Sequence, residues 1–346
     1  MRIAVIIPFY NAEENINSAL SSLSQQEVFP DEIILVDNGS TDNSLKIIQE
    51  FKEVNKGLTI VLASESKKGP AAARNKGLGL AHADAVAFMD SDCIAEKDWV
   101  KNLKELYQDP SVCAIGGVTR IYEPRTSIEK VQAMDEFYSA KIDYTRKSHL
   151  LLGNLLVTNN SSYRKEIINK LGGFDDSFLV GEDVDLYMRL LERLTSEEKV
   201  LVHCDKVKMW HRPRKTFAEL IRQKFSYRVA LARLVKRHFK GKAILNIPSL
   251  GLFEYSNLPF TICIDSAIIQ ISVFLLLCLL LKKIIIYLFL ILFLAVFMDI
   301  HINSKKVHLK ITLWEFMVIG FFSLIKKLVS EFAKIYGSIK YRVICL

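Results

Sequence analysis

The sequence lacks the two glycine-rich motifs that most often indicate a nucleotide-binding domain. Its 346 residues contain no G-x-G-x-x-G after an apolar run and no G-x-x-x-x-G-K-[ST]. Both motifs work by bringing backbone N–H groups against phosphates at the start of a helix. Their absence argues against a dinucleotide-dependent enzyme and against a P-loop NTPase. A nucleotide bound by this chain must therefore be held by other groups.

Closely spaced cysteines are also lacking. Zinc ribbons and disulfide-stapled secreted domains both depend on cysteines at short, regular spacings. Neither kind of site is indicated here, which fits a reducing compartment. The first apolar run, Ile3–Ile7, is too short for a secretory signal peptide, so we expect the first domain to be cytoplasmic. The six scattered cysteines are Cys93, Cys113, Cys204, Cys263, Cys278 and Cys345.

Outside one segment the chain has almost no net charge. The formal net charge is +8, yet residues Asp205 to Lys242 alone include 13 lysines and arginines against two acids. From Pro259 onward the chain becomes almost continuously apolar. A basic segment just before apolar spans is typical of the cytoplasmic side of a membrane protein. Because no nucleic-acid-binding motif accompanies it, we predict a membrane and no nucleic acid as the partner.

What the first 240 residues do contain is a regular alternation of short apolar runs and amphipathic stretches. Such an alternation predicts an α/β fold with a doubly wound, mostly parallel sheet. The predicted strands are Ile3–Ile7, Ile33–Val36, Leu58–Leu62, Ala85–Met89, Val112–Val118 and Val200–His203. The predicted helices are Glu13–Gln25, Ser44–Val54, Ala71–Ala81, Lys97–Tyr107, Ser127–Tyr144 and Val184–Leu194.

Two carboxylates, Asp90 and Asp92, follow the fourth predicted strand. Residues i and i+2 of an extended backbone point the same way, so both acids can face one ligand. Paired carboxylates suit Mg²⁺ or Mn²⁺, and such an ion in turn suits a diphosphate. A turn that caps the following helix is the alternative explanation. Polar stretches that begin at Pro8 and at Asp37 are predicted at the same sheet edge, where such sheets bind ligands, and this favours a binding site.

A second group of acids opens the helix predicted over Val184–Leu194. Glu182, Asp183 and Asp185 fall at or near its first turn. First-turn acids often only complement the helix dipole, whereas a buried acid beside a cleft can act as a general base. His211 follows Trp210, and its position fits either packing or contact with a metal or phosphate.

The composition divides the chain into an α/β domain over 1–240 and a membrane-associated region over 241–346. Residues 215–240 read as a basic amphipathic helix at the end of the first domain. Two transmembrane helices are predicted in the second region, and a third apolar stretch with Glu315 is either transmembrane or interfacial. These three segments are 262–281, 284–300 and 311–325.

The ordered motifs of residues 1–240 resemble glycosyltransferase family 2, which has the GT-A fold with a Rossmann-like nucleotide-binding half. Each motif alone is weak, but together they form a specific pattern. They are Ile6–Asn11, Val36–Asp42, Gly69–Asn75, Asp90–Asp92, Gly172–Asp175 and Glu182–Asp183.

The resemblance implies a donor site for a nucleotide-diphosphate sugar. Pro8 and Tyr10 would lie against the base, and Asp37 would bind the edge of that base. Arg74 would reach the nucleotide or its diphosphate as a bidentate cation. Asp90 would touch the ribose or the waters of a metal ion.

The resemblance also implies a metal site and a catalytic base. Asp92 would ligate Mg²⁺ or Mn²⁺, with Asp90 and His211 as further candidates for the metal. Asp183 would be the base, and we expect Glu182 and Asp185 to support the base or the acceptor. The implied enzyme is metal-dependent, with hexosyltransferase-like chemistry.

The resulting prediction is an inverting transfer of one sugar to a hydroxyl of a lipid-linked or glycan acceptor, in polysaccharide biosynthesis at the cytoplasmic membrane face. A polyprenyl-phosphate sugar synthase is one alternative, and a non-catalytic nucleotide-sugar-binding scaffold subunit of a membrane complex is another. The processive synthases of the family carry Gln-x-x-Arg-Trp, whereas this chain has Gln223-Lys224-Phe225-Ser226-Tyr227. That departure argues against a processive enzyme.

Overall fold

The structure is a computed structural model that describes residues 1–135, 143–145, 156–194, 199–247, 251–256, 261–265 and 312–345. The chain divides into two compact units, and the first comprises Met1–Tyr122 and Tyr138–Arg212. The second comprises Glu123–Phe137 and Pro213–Leu346. This division falls at Arg212, and the domain boundary at residue 240 stays a prediction.

Helices and strands are numbered in chain order among the described residues. The strands are β1 Ile3–Phe9, β2 Glu32–Asp37, β3 Ile60–Ser64, β4 Ala85–Phe88, β5 Cys93–Ala95, β6 Val112–Ile121, β7 Asp143–Thr145, β8 Ser161–Arg164, β9 Val200–His211, β10 Ala243–Ile247, β11 Gly251–Tyr255, β12 Ile262–Asp265 and β13 Ile344–Cys345. The helices are α1 Ile16–Ser24, α2 Ser44–Val54, α3 Pro70–Leu80, α4 Trp99–Leu106, α5 Ser127–Asp135, α6 Lys165–Lys170, α7 Glu182–Leu194, α8 Phe217–His238 and α9 Leu313–Tyr341.

The sheet of the first unit is mixed, so the prediction of a mostly parallel sheet holds for β3-β2-β1-β4 and for the pair β6-β9, whereas the pairs of β8, β5 and β7 are antiparallel. Its order is β3-β2-β1-β4-β8-β6-β9-β5, with β7 paired to β9. The first four strands are parallel, whereas β8 is antiparallel to both β4 and β6. Helical crossovers connect parallel strands and leave a visible alternation in the sequence, while antiparallel pairs need no such crossover. The alternation therefore predicted only the parallel half.

The core of the first unit lies around β1. The residues from Ile3 to Ile7 are fully buried, Pro8 is half-buried, and Phe9 at the end of the strand is buried. A continuous apolar run of this kind is typical of a strand that is covered on both faces. Helix α3 lies very close to this strand, because a Cβ atom at Gly77 would lie 2.5 Å from the Cγ2 atom of Ile6. This close packing fixes the position of the remaining side chains of α3, including Arg74.

Two elements predicted within residues 1–240 differ substantially from the structure. Of the helix predicted over Ser127–Tyr144, the structure describes α5 over Ser127–Asp135, residues 136–142 lie outside the described residues, and Asp143–Thr145 is instead a strand antiparallel to β9. The strand predicted over Val200–His203 continues to His211 because it pairs with β6 along its length. From Lys206 to His211 more exposed residues alternate with buried ones, a pattern of period two that is typical of a strand with one covered face.

The second unit contains a four-stranded sheet of order β11-β10-β12-β13 and the helices α5, α8 and α9. Both long helices begin at a capping box, formed by Thr216 with Glu219 and by Thr312 with Glu315. The helix predicted over 215–240 is confirmed as α8.

The membrane segments receive less support. No helix in the described part of the chain is long and apolar enough to cross a membrane. Residues 262–265 form β12, so a helical span beginning at 262 was wrong, and two of these four residues are isoleucines, which favour strands. The rest of 262–281 and all of 284–300 lie outside the described residues. The stretch 311–325 is the first half of α9, whose lysines and glutamates are spread along its length, so a transmembrane helix there is unsupported.

Candidate active site

Hydrogen bonds join the carboxyl ends of β1 and β2. Asn11 has a φ of 47°, and its backbone N–H donates to the Ser40 hydroxyl at 3.0 Å. In return, the Thr41 N–H donates to the Asn11 side-chain oxygen at 2.8 Å. Asp37 is buried and accepts from the Ser40 N–H at 2.9 Å. The two strand ends therefore form one polar rim, as the sequence predicted.

The predicted base-binding residues lie on this rim with different exposures. Pro8 is half-buried within β1 and pairs in register with Val36 of β2. Tyr10 follows the strand and is 58% exposed, so its ring is accessible to a ligand. Asp37 is the last residue of β2. The three predicted donor residues therefore lie at neighbouring strand ends.

Asn38 connects the rim to the loop before α3, a role that sequence reasoning missed. Its amide nitrogen donates to the carbonyls of Glu65 and Lys67 at 2.9 and 2.8 Å. Its amide oxygen accepts from the Gly69 N–H at 2.7 Å. One side chain thus holds this loop against the end of β2. The only signal in the sequence is its position directly after Asp37.

Lys68 is a second residue that the sequence did not indicate. Its ammonium group donates to the Asn38 carbonyl at 2.9 Å and lies 5.0 Å from the centre of the Tyr10 ring. Gly39 has a φ of +86°, and a Cβ atom there would lie 2.5 Å from the Lys68 nitrogen. Lys68 therefore places a positive charge directly beside the exposed ring of Tyr10.

Arg74 connects two predicted groups of acids. It is 3% exposed and donates to Glu182 Oε1 at 2.6 Å and to Asp90 Oδ1 at 2.8 Å. Burial lowers the pKa of Arg74, but the negative charges of Asp90 and Glu182 more than compensate and raise it. The guanidinium therefore stays charged and bridges the end of β4 to the start of α7.

The Gly-Gly-Phe segment before α7 is anchored to α3 beside Arg74. Asn75 donates to the Phe174 carbonyl and accepts from the Phe174 N–H, both at 2.8 Å. Gly173 has a φ of +70°, and a Cβ atom there would come within 2.6 Å of the Asn75 oxygen. The Phe174 ring packs edge-on against Phe88 at 5.0 Å. These contacts explain why this turn needs glycine and an aromatic residue.

Asp183 lies in the first turn of α7 and is partly exposed. Its Oδ1 atom accepts from the Val184 N–H at 2.8 Å, and the backbone N–H of Thr158 also bonds to its carboxylate. Burial raises the pKa of Asp183 and the charge of Asp90 adds to the increase, while Arg74 and the two N–H groups oppose it. A carboxylate with a raised pKa is suited to accept a proton.

Glu182 precedes Asp183 and is 6% exposed. Burial raises its pKa to about 7, with Arg74 opposing and Asp183 reinforcing the shift. One guanidinium here faces three carboxylates, those of Asp90, Glu182 and Asp183. Because one positive charge cannot neutralise three nearby negative charges, the cluster favours retention of a proton near neutral pH.

Asp92 and His211 are brought together by the pairing of β5 with β9. Cys93 lies opposite His211 in this antiparallel pair, and the Arg212 N–H donates to the Asp92 carbonyl at 2.9 Å. The His211 Nε2 atom is 3.3 Å from Asp92 Oδ2, and both side chains are largely buried. The pairing therefore joins two predicted metal ligands that are far apart in sequence.

The donor set of this pair fits a divalent cation in part. A carboxylate oxygen with an imidazole nitrogen is a combination that Mn²⁺ accepts. However, no group of three or more His, Cys, Asp or Glu residues forms a metal-binding cluster within the described ranges. Asp90 is instead engaged by Arg74. An ion at Asp92 and His211 would need further oxygen ligands from a bound substrate or water.

The described contacts of Asp185 are structural. This carboxylate is fully buried and accepts from the Arg189 Nε atom at 2.9 Å. Arg189 in turn donates to the carbonyls of Leu171 and Gly173, at 2.5 and 2.8 Å, at the end of α6. Asp185 therefore holds the turn that precedes α7, and its support of the base or the acceptor stays a prediction.

Acids at the ends of parallel strands, together with acids that open a later helix, fit a GT-A type of glycosyltransferase. Comparison with known proteins agrees. Residues 4–172 match the sequence profile of glycosyl transferase family 2. The chain therefore carries a family 2 glycosyltransferase domain with the GT-A fold, and the resemblance seen in its motifs is confirmed.

Individual relatives match over different shares of their length. The chain is 28% identical over 228 residues to glycosyltransferase AglE of Haloferax volcanii, which is 64% of this chain and 70% of that protein. It is 30% identical over 263 residues to the pre-mycofactocin glycosyltransferase of Mycobacterium tuberculosis, which is 73% of this chain and 52% of that protein. The chain thus matches only about half of the second relative's length.

A solved structure supports the same fold. The mannosyltransferase PcManGT from Pyrobaculum calidifontis, in complex with GDP-Man and Mn²⁺, aligns with a TM-score of 0.52 and 21% identity. The alignment covers 69% of this chain and 64% of that chain. At this identity the similarity establishes the fold, and glycosyl transfer follows from the family.

Proposed function

We propose that this protein transfers one sugar from a nucleotide-diphosphate sugar to a hydroxyl of a lipid-linked or glycan acceptor, with inversion at the anomeric carbon. The reaction would serve polysaccharide or glycan synthesis at the cytoplasmic face of a membrane. The observation that carries this proposal is the bridge through Arg74. It connects Asp90 at the strand ends to Glu182, the first residue of α7, and so to its neighbour Asp183.

Asp183 is the proposed general base. Its raised pKa and its partial exposure suit a group that accepts the proton of an attacking hydroxyl. In the proposed step the acceptor oxygen bonds to the anomeric carbon while the bond from that carbon to the diphosphate breaks. The proton passes to Asp183, and the nucleoside diphosphate leaves with the bonding electrons.

The proposed donor site is the rim formed by β1 and β2. Tyr10 and Pro8 would contact the base, and Asp37 would accept a hydrogen bond from its edge. Lys68 adds a charge beside the Tyr10 ring that favours an anionic ligand. Arg74 lies between Asp90 and Glu182, where it would hold the side chain of Asp90 in position for donor binding.

The proposed metal ligands are Asp92 and His211, with Asp90 close enough in sequence to bind the ion's waters. Their proximity supports the proposal, and PcManGT was solved with Mn²⁺. When bound, Mg²⁺ or Mn²⁺ would neutralise the charge that grows on the departing diphosphate. Asp92 directly precedes β5 and His211 is the last residue of β9, and these two strands are hydrogen-bonded.

A membrane-linked acceptor is supported by the charge of the chain. The segment from Asp205 to Lys242 is strongly basic, and most of it forms the amphipathic helix α8. Basic amphipathic helices are attracted to anionic lipid headgroups. A sugar acceptor carried on a lipid would be presented at that surface.

Product analysis with the full chain tests this function. The protein is incubated with nucleotide-diphosphate sugars, Mn²⁺ and a membrane lipid extract, and the product linkage is determined by NMR. We expect stoichiometric release of nucleoside diphosphate and transfer to an acceptor hydroxyl with inverted configuration. Transfer to a polyprenyl phosphate would show that the acceptor is a phosphate and that the proposed hydroxyl acceptor is wrong. Tight donor binding without transfer to any extract would indicate a non-catalytic subunit.

A further inference from the structure

Helix α9 carries a long stripe of exposed apolar side chains. Apart from one adjacent pair, its members recur at intervals of three, four or seven positions, so they occupy one face of the helix. Isolated exposed apolar residues are common, but a contiguous stripe of this length is typical of an interaction surface. The stripe, called here the α9 apolar face, consists of Trp314, Met317, Phe321, Leu328, Phe332, Ile335, Tyr336 and Ile339.

The opposite side of α9 is already packed within the second unit. Ile319 is fully buried in a cluster with residues of α5 and α8, and Ala333 is fully buried as well. A Cβ atom at Gly337 would lie 3.1 Å from Ala232 Cβ, so the backbones of α9 and α8 approach closely there. Because α5 and α8 occupy this side, the α9 apolar face remains exposed in the described part of the chain.

The helix that carries this face, α9, and its neighbour α8 both have a net positive charge. Helices α8 and α9 together contain ten lysines and arginines against three glutamates. Both glutamates of α9 are paired, Glu315 with Lys130 and Glu331 with Lys334. The stripe itself contains no charged residue, so apolar and basic surfaces lie side by side.

The basic residues of α8 reach the edge of the α9 apolar face. The Phe225 ring of α8 packs against Phe332 and Tyr336, with centroid distances of 6.4 and 5.9 Å. Arg222 and Arg228 lie three positions before and after Phe225, which puts them on the same side of α8. We therefore expect these two arginines to border the α9 apolar face near Phe332 and Tyr336.

We propose that the α9 apolar face lies in the interface of an anionic lipid bilayer, with α9 parallel to the membrane plane. The apolar side chains would enter the boundary between headgroups and acyl chains, and the bordering arginines and lysines would bind lipid phosphates. A second copy of the chain is a poorer occupant, because it would bring two basic borders together. The proposal rests on the proposed function only in that both place the protein at a membrane. It adds the lipid surface that α9 contacts.

Trp314 offers a direct test, because the chain has three tryptophans and the other two are more buried than this one. The full chain is reconstituted in vesicles of phosphatidylcholine and phosphatidylglycerol that carry brominated acyl chains. Fluorescence of wild type minus that of Trp314→Phe gives the contribution of Trp314. We expect this contribution to be quenched by the brominated lipid and to shift to shorter wavelength.

Two variants and one lipid change sharpen the result. Phe321→Glu combined with Leu328→Glu should abolish the quenching of Trp314, whereas Val54→Glu, at an exposed apolar residue of α2, should leave it unchanged. Replacing phosphatidylglycerol by phosphatidylcholine should reduce it severalfold.

Absence of quenching in anionic vesicles would overturn the proposal, as would equal quenching in purely zwitterionic ones. If Trp314 is not quenched and copies of the chain instead cross-link in a concentration-dependent manner, the face belongs to a dimer interface. Because the measurement needs no sugar transfer, its failure is distinguishable from failure of the proposed function.

Discussion

Arg74 donates to Asp90 across 2.8 Å although the two residues belong to different elements, the helix α3 and the turn after β4. The same guanidinium also bonds to Glu182 at 2.6 Å. A single buried cation thus holds together acids from two distant parts of the sequence. This relationship connects the predicted donor site to the predicted base.

Loss of the Arg74 charge should destabilise the fold, and more strongly at high pH. Arg74→Met leaves the carboxylates of Asp90 and Glu182 without their cation, and an uncompensated buried charge costs roughly 3–5 kcal/mol. The free energy of unfolding from urea titrations at pH 5.5 and pH 8 checks this. Arg125→Met, at a highly exposed arginine, serves as control and should match wild type. Equal destabilisation of Arg74→Met at both pH values would contradict it.

The raised pKa of Glu182 predicts the direction of a pH effect on stability. Because its folded pKa of about 7 exceeds its ordinary value, the folded state binds the proton more tightly, so ionising Glu182 opposes folding. Wild type should therefore lose stability relative to Glu182→Gln as pH rises from about 4.5 to about 7, by up to about 3 kcal/mol. Urea unfolding across this window measures the difference. Parallel profiles for the two proteins would show that Glu182 does not titrate in this way.

Substitution of His211 should weaken metal binding. His211→Gln keeps a polar side chain but removes the imidazole nitrogen that lies 3.3 Å from Asp92. We expect the Mn²⁺ affinity, measured by calorimetry with nucleoside diphosphate present, to fall by about tenfold or more. His82→Gln is the matched control at an exposed histidine. Unchanged Mn²⁺ affinity in His211→Gln would remove this residue from the metal site.

Gly173 should resist substitution because of its backbone and its neighbour. Gly173→Ala would introduce a Cβ atom 2.6 Å from the Asn75 oxygen at a φ of +70°. A destabilisation of about 1–3 kcal/mol is expected from strain of this kind. Gly57→Ala is the control, since no atom lies within 4 Å of its added Cβ. If both variants unfold at the same urea concentration, the turn does not anchor α7 as described.

The parallel half of the fold and most of the site were accessible from the sequence. Continuous apolar runs predicted β1 and β4. The polar residues after them were expected at the ligand-binding edge, because such sheets bind ligands where their parallel strands end. Asp90 and Asp183 were assigned to one site because of motif order. Their physical link through Arg74 required coordinates, since nothing in the sequence shows which acids share a cation.

Other features left no periodic signal. The antiparallel insertion of β8 needs no helical crossover, and the extension of β9 to His211 depends on its pairing with β6. The position of the Lys68 side chain depends on a hydrogen bond to the backbone carbonyl of Asn38. In the C-terminal region, the high apolar content of 311–325 suggested a span, but α9 uses those residues on two opposite faces of a longer helix.

The proposed base can be tested by one comparison of rate with binding. Asp183→Asn is compared with wild type and with Asp205→Asn, which alters an exposed aspartate of β9. The transfer rate and the donor affinity are measured on the same preparations. The account predicts that only Asp183→Asn loses transfer, by roughly 10²–10⁴-fold, while its donor affinity stays within about threefold of wild type. Near wild-type transfer by Asp183→Asn would contradict the assignment of Asp183 as the base.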